Sequence, residues 1–286
     1  MIEVLRAGPL TTLQDLGRPG LAHLGVGRSG AVDRPSLRLA NRLVGNAEGA
    51  PALETTFGGL VLSFTEAATV AVAGAPAPLC VDGRAHASCT PVTVRAGQVL
   101  ELGMPARGVR TYLALRGGVA CELVLGSAAT DLLSRLGPAP LRDGDTVALG
   151  RPAGPMPGVD HAAVAPLPDE VVLRAVPGPR ADWFTADSLT RLGRAAYEVT
   201  AASDRIGLRL EGPALTRQRT HELPSEGMVE GAVQVPPDGR PVIFLADHPV
   251  TGGYPVVAVV HPDDVALAAQ ARPGQPLRFA LHRPLL

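Results

Sequence analysis

The chain of 286 residues contains no lysine, because all 26 residues in its combined lysine and arginine count are arginine. This absence excludes several chemistries at once. A Walker A phosphate loop requires its lysine, a Schiff-base enzyme requires a lysine amine, and a biotin carrier requires a lysine for the attachment of biotin. We therefore expect no biotin attached to this chain.

Net charge, aromatic residues and long apolar runs are also scarce. A formal net charge of −1 and an aromatic content of 3% argue against nucleic-acid binding, which needs cationic surface and stacking platforms. No apolar run approaches the roughly 20 residues that span a bilayer, and the N-terminus lacks the apolar core of a signal peptide. The three widely spaced cysteines, Cys80, Cys89 and Cys121, predict a reduced, cytoplasmic protein.

Apolar residues and chain-turning residues are abundant. A hydrophobic content of 46% in 286 residues is enough for a substantial core and for one large or two medium domains. With 33 glycines, 28 prolines and only 19% charged residues, the chain favours many short strands over long helices. These proportions predict a mainly β protein.

Residues 225–260 have the pattern of strands joined by a turn and a polar loop. Two continuous apolar runs, residues 242–245 and 256–260, are typical of strands buried on both faces. Asp247 and residues 251–253 lie between these runs and are predicted to meet at one rim of a sheet. The glycine pair within 251–253 fits either a tight turn or the close approach of a ligand to main-chain N–H groups.

Two short helices are predicted in the first half. One begins after an N-cap at Asp33, continues with apolar residues at helical spacing and ends at Gly45. Asp33 fits a cap, a catalytic carboxylate or both. The second helix is predicted at residues 127–133 with Ser127 as its N-cap. Capping alone would explain Ser127, and a contribution to an active site is the alternative.

A stretch rich in proline, glycine and alanine predicts a linker at residues 156–169. It would separate an N-terminal half, residues 1–155, from a C-terminal half, residues 170–286. Short echoes connect the halves: the sequence VLRAGP at 4–9 is similar to VLRAVP at 172–177. The echoes indicate two related halves.

An ordered series of motifs resembles the C-subunit family of 5-oxoprolinase. This family is also called allophanate hydrolase subunit 2, or the antagonist of the sporulation-kinase inhibitor, and it is similar to one half of the carboxyltransferase domain of urea carboxylase. The motifs that carry the resemblance are TTLQDLGR at 11–18, GSAATD at 126–131, SDRIGLRLEG at 203–212, SEGMVEGAVQVPPDGRP at 225–241, Asp247 and TGGYP at 251–255.

The resemblance implies both an architecture and an activity. The implied fold consists of two related cyclophilin-like β-barrel halves with a few short helices and a cleft between them. The implied activity is that of the 5-oxoprolinase C subunit, which works with the B and A subunits in the ATP-dependent opening of 5-oxo-L-proline to L-glutamate. The reaction would consume ATP, which would bind together with Mg²⁺. The chain would be inactive without its partner subunit.

Two other functions fit the same resemblance. One is a non-catalytic regulatory binding protein that antagonises a kinase-inhibitor-like partner. The other is half of a carboxyltransferase acting on urea or another amide, which would need a biotin carrier on another chain.

The resemblance also selects the polar residues expected to form the site. The predicted catalytic residues are Asp33 and Asp247. An arginine binds carboxylates and phosphates bidentately, although an Asp-Arg dipeptide such as 204–205 is also a common exposed turn. The predicted substrate-binding residues are Arg28, Asp204, Arg205, Gln234, Thr251, Gly252, Gly253 and Tyr254. The predicted phosphate-binding residues are Gly126, Ser127 and Thr130, and no metal ligands are assigned.

Overall fold

The structure, a computed structural model, describes residues 1–282 and consists mainly of β-strands. Within these residues no helix is long and apolar enough to cross a membrane. The α-helices of the described chain are α1 (Arg34–Leu43), α2 (Ala186–Arg194) and α3 (Pro262–Ala269), and short 3-10 helices lie at Ala22–Leu24 and Ala181–Trp183. The predicted mainly β class is confirmed.

The chain forms two compact units that exchange short segments in sequence. The first unit contains Met1–Arg18, Ser29–Asp131 and Arg135–Leu167, and the second contains Pro19–Arg28, Leu132–Ser134 and the chain from Pro168 onward. The stretch predicted as a linker, residues 156–169, contains no helix or strand. Part of it is fixed to the first unit, because the Ala162 N–H donates to the Cys89 carbonyl at 2.9 Å.

The strands of the first unit form a seven-stranded sheet, in the order β11-β12-β1-β4-β9-β6-β7, and a five-stranded sheet, in the order β2-β3-β10-β5-β8. Their bounds are β1 (Ile2–Arg6), β2 (Leu10–Gln14), β3 (Ala52–Thr56), β4 (Leu60–Phe64), β5 (Ala68–Gly74), β6 (Leu79–Val81), β7 (Arg84–His86), β8 (Val92–Val94), β9 (Val99–Leu102), β10 (Arg110–Leu115), β11 (Val119–Ala120) and β12 (Thr146–Leu149).

Strand β10 shows how the first unit divides its interior. Successive side chains of a strand point to opposite faces. Leu113 and Leu115 therefore enter the core shared with the seven-stranded sheet, whereas Tyr112 and Ala114 join the cluster that covers α1. Helix α1 begins as predicted, because the Asp33 carboxylate accepts a hydrogen bond from the Ser36 N–H at 3.0 Å.

The second unit contains a closed seven-stranded barrel in the order β13-β20-β17-β18-β15-β14-β21. Its bounds are β13 (Val171–Pro177), β14 (Tyr197–Val199), β15 (Gly207–Glu211), β17 (Ala232–Gln234), β18 (Val242–Phe244), β20 (Val256–Val260) and β21 (Pro276–Leu281), and a separate ribbon pairs β16 (Glu226–Gly227) with β19 (Thr251–Gly252). Parallel pairing of β13 with β21 closes the barrel. The buried strands predicted at 242–245 and 256–260 are confirmed, as are barrel-like halves.

The helix predicted at residues 127–133 is wrong. This segment holds an isolated bridge from Val124 to Ser127 and then a turn. The Thr130 N–H donates to the Leu13 carbonyl at 2.9 Å, and the Ser127 hydroxyl donates to Asp15 at 2.7 Å. Hydrogen bonds to residues distant in sequence therefore occupy the Ser127 hydroxyl and the Thr130 N–H, which a helix beginning here would have needed for its first turn.

Gly58, which connects β3 and β4, is a position where the backbone requires glycine. Its φ is +66°, and an added Cβ would lie 2.0 Å from the Gly103 carbonyl oxygen. Gly97 has a similar φ of +82° but open space around its Cβ position. Substitutions at Gly97 and Gly58 therefore distinguish the cost of backbone strain alone from the cost of strain together with a steric clash.

We expect Gly97→Ala to lower the free energy of unfolding by about 1–2 kcal/mol, the cost of a left-handed conformation for a residue with a Cβ. Gly58→Ala should cost at least about 1 kcal/mol more, because a backbone oxygen cannot move aside cheaply. Urea unfolding of both variants measures the difference. Equal losses would contradict the assigned clash at Gly58.

Candidate functional site

A buried ion pair joins two predicted site residues of the second unit, Arg205 and Asp247. The Arg205 Nε lies 2.9 Å from Asp247 Oδ2, and its Nη2 lies 3.0 Å from Oδ1. Both residues are only 1% exposed. The Leu132 N–H also donates to Asp247 Oδ2, at 3.0 Å. The bidentate geometry predicted for Arg205 is thus satisfied by a carboxylate of the same chain.

Asp204 forms the turn that presents Arg205. Its Oδ1 accepts hydrogen bonds from the Ile206 N–H at 2.7 Å and the Gly207 N–H at 2.9 Å, just where β15 begins. The Asp247 N–H donates to the Arg205 carbonyl at 3.0 Å, which brings the end of β18 against this turn. Asp204 is exposed, but in this arrangement its carboxylate stabilises a local turn.

Gln234, Gly252 and Tyr254 come together beside the ribbon. The Gln234 Nε2 donates to the Tyr254 carbonyl at 3.0 Å, and an added Cβ on Gly252 would lie 2.7 Å from that same Nε2. Glycine at 252 therefore makes room for Gln234, which is 6% exposed. Gly253 is more open, with the Leu223 carbonyl oxygen 3.7 Å from its Cβ position. Thr251, Gly253 and Tyr254 are exposed.

Arg217 contacts the same group and was not predicted from the sequence. Its guanidinium carbon lies 5.9 Å from the centre of the Tyr254 ring, and its Nη2 donates to the Val235 carbonyl. Burial lowers the pKa of the Arg217 guanidinium. Because Arg217 follows an unremarkable loop sequence, no local signal could have identified it.

The ribbon beside this group is anchored by an ion pair between Arg180 and Glu226. The Arg180 Nε donates to Glu226 Oε2 at 3.1 Å, and its Nη2 contacts Oε1. The Arg180 hydrogen bond lowers the pKa of Glu226. The pair links β16 to the segment that follows β13.

In the first unit, Asp15 organises the segment that carries Ser127. The Ser127 hydroxyl donates to Asp15 Oδ1 at 2.7 Å, and the Ala128 N–H donates to Oδ2 at 2.7 Å. Gly126 lies in the exposed turn just before this contact. Ser127 is fully buried, so its hydroxyl supports the loop in this arrangement.

The predicted residue Thr130 lies among buried polar side chains. Two of them, Gln14 and Arg18, belong to the motif at 11–18 but were not predicted as site residues. Its carbonyl accepts hydrogen bonds from Gln14 Nε2 at 2.9 Å and from the Ser29 hydroxyl at 3.2 Å. The Arg18 Nη2 donates to the Ala129 carbonyl at 2.6 Å. Within residues 1–282, the Thr130 Oγ1, the Gln14 Oε1 and the Arg18 Nη1 are buried without a hydrogen-bond partner, which marks the cluster as incompletely satisfied.

Asp33 belongs to a different buried network of the first unit. Its two carboxylate oxygens accept from the N–H and hydroxyl of Ser36, and its own N–H donates to the Tyr112 hydroxyl at 2.8 Å. The Tyr112 hydroxyl in turn donates to Glu54 Oε2 at 2.7 Å. Burial, Glu54 and Asp33 raise the pKa of Tyr112. The predicted cap is confirmed, and the catalytic role of Asp33 stays a prediction.

Arg28 is the remaining predicted residue, and it lies exposed at the end of the segment that joins the second unit. Metal binding was left open by the sequence. Among the side chains described, no group of three or more His, Cys, Asp or Glu could hold a metal ion.

Three comparisons relate this architecture to known proteins. The chain is 38% identical over 282 residues to the 5-oxoprolinase C subunit of Escherichia coli, covering 98% of this chain and 90% of that protein. It superposes on the crystal structure of TTHA0988 with a TM-score of 0.88 and 38% identity, covering 97% of this chain and 55% of that one, so it spans about half of that protein. On the K. lactis urea amidolyase the TM-score is 0.89 at 29% identity, covering 97% of this chain and 18% of that one.

A family model described as carboxyltransferase domain, subdomain A and B, matches residues 24–281. The predicted family is confirmed by this match together with the nearly full-length alignment to the E. coli protein. The chain therefore belongs to the carboxyltransferase domain, subdomain A and B, family, alongside the 5-oxoprolinase C subunit.

Proposed function

We propose that this chain is the C subunit of an ATP-dependent 5-oxoprolinase and that it works together with B and A subunits. The observation that carries the proposal is the similarity to the E. coli 5-oxoprolinase C subunit, which extends over 98% of this chain and 90% of that protein at 38% identity. A second 5-oxoprolinase C subunit, from Haemophilus influenzae, is 34% identical over the same share of both chains.

The proposed reaction solves a chemical problem, because a lactam carbonyl is a poor electrophile. Transfer of the γ-phosphoryl group of ATP to the enol oxygen of the lactam would release ADP and form a phosphate ester, whose ring carbon is a better electrophile. Attack by water at this carbon then breaks the ring carbon–nitrogen bond and leaves an acyl phosphate. A second water displaces inorganic phosphate to give glutamate. ATP and Mg²⁺ would enter as a substrate pair, with the metal carried by the phosphates.

Several groups of the second unit could act on a substrate as hydrogen-bond donors. Arg28 is an exposed cation, and Gly253 with Tyr254 offers accessible backbone beside the buried amide of Gln234. Such groups can bind and orient a substrate or stabilise developing negative charge. Asp247 fits a positioning role, because its carboxylate is already bound by Arg205 and the Leu132 N–H. Its catalytic assignment stays a prediction.

The proposal predicts that the purified chain is folded but catalytically silent, since the site is expected to need residues of a partner protein. Mixing it with its cognate B and A subunits should produce glutamate and ADP from 5-oxo-L-proline and ATP. The measurement is a coupled assay for both products, with each of the three proteins omitted in turn as the control. Equal turnover by the isolated chain, or none by the well-folded mixture, would contradict the proposal.

A second prediction concerns the stability provided by the ion pair. Asp247→Ala removes the carboxylate that binds the buried Arg205 guanidinium bidentately, which should lower the free energy of unfolding by about 3–5 kcal/mol. Asp187→Ala is the matched control, because Asp187 also pairs with an arginine, Arg191, but at an exposed site where a pair contributes about 1 kcal/mol or less.

Urea unfolding compares these two variants with wild type. Asp247→Asn, which retains an acceptor for Leu132, should unfold between wild type and Asp247→Ala. Similar losses for Asp247→Ala and Asp187→Ala would show that the buried pair has no special weight.

A carboxyltransferase acting on urea or a related amide is the second candidate. It is favoured by the 31% identity to the Saccharomyces cerevisiae urea amidolyase, which covers 97% of this chain but only 16% of that protein. Because this chain has no lysine, this function requires a biotinylated partner chain. Affinity purification of the tagged chain, probed with labelled streptavidin, should reveal that partner. Absence of any biotinylated partner in active preparations would rule this candidate out.

A further inference from the structure

Within residues 1–282, Arg217 forms no salt bridge with a carboxylate, in contrast to several other arginines of the second unit. Its Nη2 donates to the Val235 carbonyl, and its Nε is buried without a hydrogen-bond acceptor. The arginines of this unit that do pair with carboxylates include Arg174, Arg180, Arg205, Arg219, Arg240 and Arg278. Arg217 lies beside the predicted substrate-binding residue Tyr254.

A half-buried cation that forms no salt bridge is costly, because water is lost and no carboxylate contacts the cation directly. The cost is visible in the direction of the pKa of Arg217, which burial lowers. The guanidinium is nevertheless held in place by the Val235 carbonyl and the Tyr254 ring. A bound anion would give the guanidinium a direct counter-charge, which Asp238 supplies only from beyond salt-bridge distance, and the planar fork of arginine suits a carboxylate.

The surroundings of Arg217 are suited to a small ligand. The Tyr254 backbone is fixed by the Gln234 amide at 3.0 Å, while the Tyr254 residue remains 44% exposed. An exposed aromatic ring beside a guanidinium offers an apolar surface next to a charged group. Gly253 precedes the ring and is loosely surrounded, because an added Cβ would make only an ordinary contact, 3.7 Å from the Leu223 carbonyl oxygen.

We propose that Arg217 and Tyr254 form a carboxylate-binding site that holds the carboxylate of 5-oxoproline while its small ring contacts Tyr254. This inference rests on the proposed function and makes Arg217 a specificity-determining residue. It selects for a lactam that bears a carboxylate. Urea and simple lactams lack that group and cannot satisfy Arg217.

The test compares binding of 5-oxo-L-proline and of 2-pyrrolidinone, the same lactam ring without the carboxylate. Both are titrated by calorimetry into the chain assembled with its cognate B and A subunits, without ATP. Arg217→Gln should weaken 5-oxo-L-proline about 10- to 100-fold, the usual range for losing hydrogen bonds to a charged group. Binding of 2-pyrrolidinone should change less than about twofold, and Arg217→Lys, which keeps the charge but not the fork, should be intermediate.

Arg219→Gln is the matched control, because Arg219 lies two positions away and already pairs with Asp182 at 2.9 Å. It should leave both ligands unaffected. Thermal unfolding separates ligand binding from a structural role: Arg217→Gln should be as stable as wild type or more stable. Wild-type binding of 5-oxo-L-proline by Arg217→Gln, or no preference of the wild type for it over 2-pyrrolidinone, would overturn the inference.

Failure of the carboxylate-binding site can be distinguished from failure of the proposed 5-oxoprolinase activity. Binding of 5-oxo-L-proline that depends on Arg217, without ATP-dependent turnover, would refute the 5-oxoprolinase activity and support the carboxylate site. Turnover with an unchanged kcat/KM in Arg217→Gln would support the activity and refute the site.

Discussion

The buried ion pair between Arg205 and Asp247 is the interaction on which the polar rim of the barrel depends. It fastens the turn before β15 to the end of β18, and the Asp247 carboxylate also holds the Leu132 N–H. Both residues of the pair are only 1% exposed, so water cannot replace either partner. Separating these two segments would therefore leave a buried charge without the other member of the pair. The ion pair therefore fixes the position of Asp247, where the polar loop to Tyr254 begins. Groups that bind a substrate must be held in defined positions in this way.

Arg205, which is buried, and Arg217, which is half-buried, illustrate two ways in which a protein can use an arginine. Arg205 binds a carboxylate of its own chain bidentately. Arg217 contacts a backbone carbonyl and an aromatic ring, which restrain its position without a direct salt bridge to a carboxylate of residues 1–282. In a chain without lysine, every fixed side-chain cation near neutral pH is a planar fork. Selection among anions then depends on geometry more than on charge.

Local signals in the sequence were sufficient where a structural element is defined by its own residues. Helix α1 follows from the cap at Asp33 and its apolar spacing, and strands β18 and β20 follow from continuous apolar runs. The helix expected at residues 127–133 failed because Asp15, 112 residues earlier, takes the Ser127 hydroxyl. The same limit hid Arg217, since its contact with Tyr254 exists only after the barrel closes. A binding group assembled across elements has no local pattern.

The two glycines at 252 and 253 have different structural roles, so two interpretations of one glycine pair need not exclude each other. Gly252 lies in the ribbon strand β19, and its missing side chain leaves room for the Gln234 amide. Gly253 has no such neighbour and is exposed directly before Tyr254. The first glycine thus serves packing and positions the Gln234 amide that binds the Tyr254 carbonyl. The second provides access, so one dipeptide both fixes the aromatic ring beside Arg217 and leaves it open to solvent.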